Sequence, residues 1–322
     1  MRDLNIAEKP TFLLSLPSCN SDCEDIKIIS NDVESGDPCF FQVAWSINPH
    51  MKIGSTNIER AIKEHHYFRK AIIEAGASVI EVPFVHGAFD SVFVKDNGIL
   101  KKTSGGVAAL LGRPKMPERK KEQRPRHANF EQAGIDVIGI TKNNLEGGDV
   151  VVHPNGNVAF MGYGFRTDQK ALDELSKFLG ARIVSLELVD PKFYHLDVCF
   201  SILSDGIAFA CKEAFSDNSW KKLTAEKSID KLIEVPMKEA LQFGLNFIQV
   251  DDTIISGSYS PMILDALAAA RKRVVIAPLT QFQLAGGSAA CLTAPIYQME
   301  NFCERISRKS VRSENEILVS VC

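Results

Sequence analysis

The chain has 322 residues, 45% of them hydrophobic, and a net charge of −3, so it can bury a sizeable core and lacks the basic surplus of a nucleic-acid partner. Its densest basic stretch, residues 113–126, is short and broken by three prolines. Eight cysteines are scattered, with Cys19 and Cys23 forming a lone C-x-x-x-C, which excludes a metal-type spacing and fits a reducing, cytoplasmic setting.

In chain order, residues 1–38 read as an appended polar arm. Its apolar run, TFLLSL at 11–16, is shorter than the roughly 7–15 residues of a secretory core, and no run approaches the roughly 20 of a membrane helix. FFQVAWSI at 40–47 reads as a strand, Asn57–Gly76 as a helix and SVIEVPF at 78–84 as a strand. Four hairpin-like signals follow: VFVKDNGIL at 92–100, VVVHPNGNVAF at 150–160, SILSDGIAFA at 201–210 and FIQVDDTIIS at 247–256. Each joins two apolar runs through Asp, Asn or Gly, which supply the backbone of tight turns. Helical patterns come after them at Pro117–Ala133, Thr167–Leu179, Asp217–Lys227 and Pro261–Lys272. A further β run, at 136–140, 182–188 and 230–236, precedes each next hairpin.

Hairpins recurring every 45–60 residues or so predict a repeated supersecondary unit. A fifth unit takes its strands from VVIAPL at 274–279 and residues 290–296, and is completed by the early strand and helix. Five such units closing head to tail predict a ring with a small-molecule site at its centre; a plain open α/β sheet is the alternative. Residues 298–322 read as a charged tail around a catalytic domain of 39–297.

Four clusters could carry chemistry: Asp90 and Asp96 around SVFVK, Glu146 and Asp149 in LEGGDV, His195 and Asp197 in FYHLDVCFS, and Cys291 in AGGSAACLTAP. Singly, each has an ordinary structural reading. Asp96 and Glu146 suit turns, His195 a satisfied core, and Cys291 a buried inert thiol. Together they combine a nucleophile, an imidazole and carboxylates, and carboxylates suit a planar guanidinium. No glycine-rich phosphate loop and no His-Glu-x-x-His zinc motif occurs.

These motifs resemble the guanidino-group modifying enzymes, the pentein superfamily of arginine deiminase, dimethylarginine dimethylaminohydrolase and the amidinotransferases. The resemblance runs from about Phe40 to Ile296 and implies an α/β fold, a five-bladed pseudosymmetric α/β propeller. FDSVFVKDNG is similar to the family's P-D-S-V-F-V-E-D, which implies that Asp90 holds a substrate α-amino group and Asp96 its guanidinium; Lys95 replaces an acidic residue. RPKMPERKKE resembles R-P-G-A-x-S-R-R, and GYGFRTDQKA resembles G-x-S-x-R-T-N, which makes Arg119 and Arg166 the implied clamps of the substrate carboxylate. E-G-G-D maps to Glu146, YHLD supplies a catalytic His195 and a guanidinium-binding Asp197, and GGSAACL supplies the nucleophile Cys291. FQVAWSINPHM places Asn48 near the pocket. The arginine dihydrolases carry Asn where Asp96 stands, so Asp implies a single hydrolysis. The resemblance thus implies hydrolysis of a guanidino amino acid, a small-molecule partner, no metal and no cofactor. Amidino transfer, arginine dihydrolysis and a catalytically idle binding module are the other readings, and the oligomeric state, a homodimer included, stays open.

Overall fold

The computed structural model describes residues 9–19, 37–156 and 158–299. The predicted tail beyond residue 299, Cys23 and most of the arm lie outside the described residues. In chain order the elements are β1 (Thr11–Ser15), α1 (Ile58–Glu74), β2 (Ser78–Val82), β3 (Gly98–Thr103), β4 (Gly106–Leu111), α2 (Pro117–Lys120), α3 (Gln123–Gln132) and β5 (Ile135–Ile140). There follow β6 (Val150–Val152), β7 (Val158–Tyr163), α4 (Leu172–Leu179), β8 (Arg182–Glu187), β9 (Phe200–Ile202), β10 (Ile207–Ala210), α5 (Asp217–Thr224) and β11 (Lys231–Glu234). The chain continues through α6 (Met237–Ala240), β12 (Phe247–Val250), β13 (Thr253–Ser256), α7 (Pro261–Ala269), β14 (Arg273–Ile276), α8 (Thr280–Gln283), α9 (Ala289–Leu292) and β15 (Thr293–Tyr297).

The strands fall into five triplets with one pairing rule. The first strand is antiparallel to the second, and the second is parallel to the third: β3-β4-β5, β6-β7-β8, β9-β10-β11, β12-β13-β14 and β15-β1-β2. A parallel neighbour needs a crossover, and α1, α3, α4, α5 and α7 provide one each. Three triplets stand as separate sheets; the other two join through parallel β15 and β3 into one six-stranded sheet, β2-β1-β15-β3-β4-β5. The fold is α/β, and among the described residues no sheet closes on itself.

The crossover helices form for local reasons. Asn57 caps α1 by accepting from the Arg60 amide at 2.8 Å, and Ala61, Ile62, Phe68 and Ile72 fall on its buried face. Gly180, at φ +69°, ends α4 in the left-handed conformation that only glycine takes cheaply. Phe41 stacks on Phe282 at 4.8 Å and meets Phe93 edge-on at 5.9 Å, which ties the early chain to α8 and to the turn before β3.

Three expectations are corrected. Residues 40–47 are not a strand; the place beside β15 is taken by β1, inside the presumed arm. TFLLS is wholly buried between two strands, so its unbroken apolar run is that of a central strand rather than a tether. Residues 92–95 are not a strand either: Val94–Asn97 is a 3-10 turn, and the hairpin is displaced to β3 and β4. Finally, 274–276 is β14, the third strand of the preceding triplet, rather than part of the fifth. The later three hairpins stand where the sequence put them.

Candidate active site

The candidate nucleophile, the imidazole and the carboxylates Asp96, Glu146 and Asp197 share one structural position, whereas Arg119 lies on α2, Arg166 follows β7, and Asn48 and Asp90 lie in loops. Each triplet is led in by a short turn, and the first group sits on those turns. Lys95 and Asp96 precede β3, Glu146 and Asp149 precede β6, His195 and Asp197 precede β9, and Cys291, on α9, precedes β15. The remaining turn, before β12, carries Asn246.

Asn246 was not foreseen. It is fully buried, and its Oδ1 accepts from the amides of Ala290 at 3.0 Å and Cys291 at 3.3 Å. Its Nδ2 donates to the Asp197 carbonyl at 2.9 Å and lies 3.1 Å from Cys291 Sγ. Nothing about GLNFIQV marks this asparagine, but the equivalence of the leading turns points to it. Asp197 Oδ1 and Oδ2 stand 3.7 and 3.6 Å from Cys291 Sγ. Burial first, then the carboxylates of Asp197 and Asp96, push the thiol well above its ordinary range, while Lys95 pulls the other way.

His195 is buried with Nε2 2.9 Å from Glu146 Oε2 and Nδ1 3.6 Å from Asp96 Oδ1. Burial disfavours its charge, but Asp96, Glu146 and Asp149 outweigh burial and raise it to about 9, so the ring is an imidazolium near neutral pH. Glu146 is held well below the carboxylate range: burial opposes this, and Arg166 at 3.0 Å together with His195 overcomes it. Asp149 is pushed up to about 7, chiefly by burial, and accepts from the Leu196 amide at 3.0 Å. The ring approaches the turn before β6 closely because Gly148 lacks a side chain; a Cβ there would stand 2.5 Å from His195 Nδ1 and 2.7 Å from Asp96 Oδ1. Ligand atoms of Asp96, Glu146 and His195 lie within 4.8 Å of one another. Both carboxylates are already bonded to arginines and the ring is cationic, so the group is ill suited to a metal.

Asp90, Asp96, Arg119, Arg166, Asn48 and Cys291 line one narrow cavity, with Phe93, Met51 and Tyr194. Arg119 and Arg166 are each 4% exposed, not surface residues of their helical stretches. Arg119 binds Asp96 at 2.8 Å and Glu122, and Arg166 binds Glu146 and the Ile47 carbonyl at 2.7 Å, with its guanidinium 4.9 Å over the Tyr194 ring. Asp90 accepts from Trp45 Nε1 at 2.5 Å, and burial pushes it up to about 6. Asn48 donates to the Ala285 carbonyl at 3.0 Å, beside the loop that leads to Cys291. A more open groove, around His153, Asp205, Lys227 and Asp230, holds none of the predicted residues.

The chain is similar in sequence and fold to known proteins. The bifunctional arginine dihydrolase/ornithine cyclodeaminase ArgZ of Synechocystis is 32% identical over 289 residues, which are 87% of this chain and 40% of that protein. The chain therefore spans less than half the length of that relative. The N(G),N(G)-dimethylarginine dimethylaminohydrolase of Mycobacterium tuberculosis is 30% identical over 261 residues, 81% of this chain and 84% of that one. Among solved structures, the N-terminal domain of the cyanobacterial ArgZ bound to product superposes with a TM-score of 0.78 at 30% identity, covering 91% of this chain and 99% of that domain. A dimethylarginine dimethylaminohydrolase adduct shares the fold, with a TM-score of 0.64 at 18% identity over 90% of this chain and all of that one. Residues 42–298 match the family described as N,N dimethylarginine dimethylhydrolase, eukaryotic, and the chain belongs to that family.

Proposed function

We propose that the chain hydrolyses the guanidinium group of arginine or an N-methylated arginine, with Cys291 as covalent nucleophile. The observation that supports this most is the buried cluster in which Cys291 Sγ stands 3.6 Å from Asp197 and the His195 ring 2.9 Å from Glu146, with Cys291 and Asp96 lining one cavity. In this reading the five triplets circle one axis as the blades of a propeller, and the cavity lies at its centre. The catalytic unit is then residues 39–297 with β1 added.

The substrate guanidinium packs against Asp96, Glu146 and Asp197. Each carboxylate already carries a cation of the chain, but a carboxylate has about four acceptor sites, so further N–H groups fit. The bound positive charge favours the thiolate. The Cys291 thiolate attacks the central carbon and forms a C–S bond. His195 gives its proton to the departing amine as the C–N bond breaks, and an S-alkylthiouronium remains. The neutral imidazole then takes a proton from water, hydroxide adds to the same carbon, and the C–S bond breaks to return the thiolate. The products are a ureido amino acid such as citrulline and one ammonia or amine. Arg119 and Arg166 take the α-carboxylate and Asp90 the α-ammonium, which makes a free amino acid the substrate.

The test is a substrate panel of arginine, mono- and dimethylarginine, agmatine, and arginine with glycine, with products read by mass spectrometry. Citrulline is expected from an arginine derivative, and Cys291→Ala should abolish it together with the adduct formed by a haloacetamidine. Agmatine, which lacks the carboxylate, should lose a charge-assisted contact of roughly 1.5–3 kcal/mol, about 10- to 150-fold in kcat/KM. Equal turnover of agmatine would remove the amino-acid assignment. Ornithine from arginine without glycine would instead support the dihydrolase reading that the name of the Synechocystis relative favours. Guanidinoacetate would mean amidino transfer, and no product from any substrate would leave a binding module.

A further inference from the structure

One carboxylate at the nucleophile is already neutralised from within the chain. Lys95 is 7% exposed, and its Nζ lies 2.9 Å from Asp197 Oδ2, the atom 3.6 Å from Cys291 Sγ. A buried ammonium is costly unless paired, and Asp197 outweighs that cost, holding Lys95 charged above its ordinary range. The turn before β3, β12 and β15 all pack against α9, and Asn246, before β12, accepts from the α9 amides of Ala290 and Cys291. From them the thiol faces Lys95 and Asp96, the neutral amide of Asn246, and the phenol of Tyr297 beside Lys95. Asp197 and Tyr194 face it from the segment before β9, and His195 stands behind Asp96. Among these groups Lys95 is the cation that acts on the thiol directly.

We propose that Lys95 is a positioning residue: it holds Asp197 and serves as the resident counter-ion of the Cys291 thiolate before substrate arrives. With Lys95 present the Lys95–Asp197 pair is neutral, and the thiolate is opposed by Asp96, itself paired with Arg119 at 2.8 Å. Without it, a bare carboxylate would stand beside the sulfur. This rests on Cys291 being the nucleophile proposed above.

The thiolate can be read without any substrate. Full-length protein is treated with iodoacetamide, a neutral reagent, across about pH 7–9.5, and Cys291 labelling is followed by peptide mass spectrometry. Lys95→Gln is expected to slow labelling about tenfold at a given pH and to move the profile up by about one pH unit. Lys95→Arg keeps the charge and should stay within about threefold of the wild type. Asp197→Asn removes the opposing charge and should accelerate labelling while the folded circular-dichroism spectrum and the Tm persist, a check required because unfolding would also expose this buried thiol. Equal rates for the wild type and Lys95→Gln, or slower labelling in Asp197→Asn, would overturn the proposal. If Lys95→Gln fails to fold, the Arg and Asn variants decide it. These shifts without turnover of any guanidino compound would leave the proposal standing and sink only the assigned reaction.

Discussion

Asn246 spends all of its hydrogen-bonding capacity on the nucleophile and its neighbours: two backbone amides, one carbonyl and the sulfur itself. Asn246→Ala removes the side-chain acceptor of two buried amides, of which Ala290 keeps only a longer bond to the Asn246 carbonyl at 3.4 Å, at a cost of about 1–3 kcal/mol, and frees the sulfur to move. The expected result is a lower Tm together with a fall in kcat of roughly 10- to 100-fold, since a small misplacement of a reacting atom costs on that order. Asn246→Asp keeps the acceptor and sets a negative charge beside the thiol. It should recover part of the stability while kcat stays low; wild-type kcat in either variant would remove Asn246 from the site. The eight cysteines are alike in composition, and only the Gly-Gly and small residues before Cys291 marked it in the sequence.

At the scale of elements, the site is a set of leading turns brought together by strands that continue outward from them. The turn before β3 is held by Arg126, fully buried, which donates to Asn97 Oδ1 at 2.9 Å, the Pro83 carbonyl at 2.7 Å and Ser15 Oγ at 2.6 Å. One guanidinium thus ties β1, the end of β2 and the turn that carries Asp96. The turn before β6 must pass flat against the imidazole, so Gly148→Ala should force His195 and Asp96 apart. Overpacking of this kind costs about 1–3 kcal/mol, and kcat/KM should drop by roughly 100-fold while the folded circular-dichroism spectrum persists. An active, fully stable Ala variant would show that the ring does not need its present place.

At the scale of the whole molecule, the buried charges make stability depend on pH. His195 is raised from its usual 6.5 to about 9, so the stability it contributes is complete below about 6.5 and is lost as pH rises through 9. Asp149, raised to about 7, acts in the same direction over lower pH: the native carboxyl keeps its proton while the unfolded one is ionised above about 3.8. Glu146, held low, adds stability above the usual glutamate range that is lost only in strong acid. Thermal unfolding should therefore fall by roughly a few degrees between pH 6 and 9.5, and fall less in His195→Gln. An unchanged slope in that variant would mean that the imidazole is not charged in the fold. Among the described residues no helix is long and apolar enough to cross a membrane.

Periodicity and turn chemistry are local, and local signals in the sequence determined most of the units: three of the four hairpins, the crossover helices, and the motifs carrying Cys291, His195 and the carboxylates. Tertiary structure decided what depends on distant partners. TFLLS became a central strand because β2 and β15, far apart in the chain, pair with its two edges. VFVKD runs into a 3-10 turn rather than a strand, and there the Lys95 ammonium pairs with Asp197 and the Asp96 carboxylate with Arg119. Arg119, Arg166 and Lys95 look like solvated surface in one dimension. They are buried because the folded chain sets a carboxylate against each, and a charge leaves water only where such a partner waits.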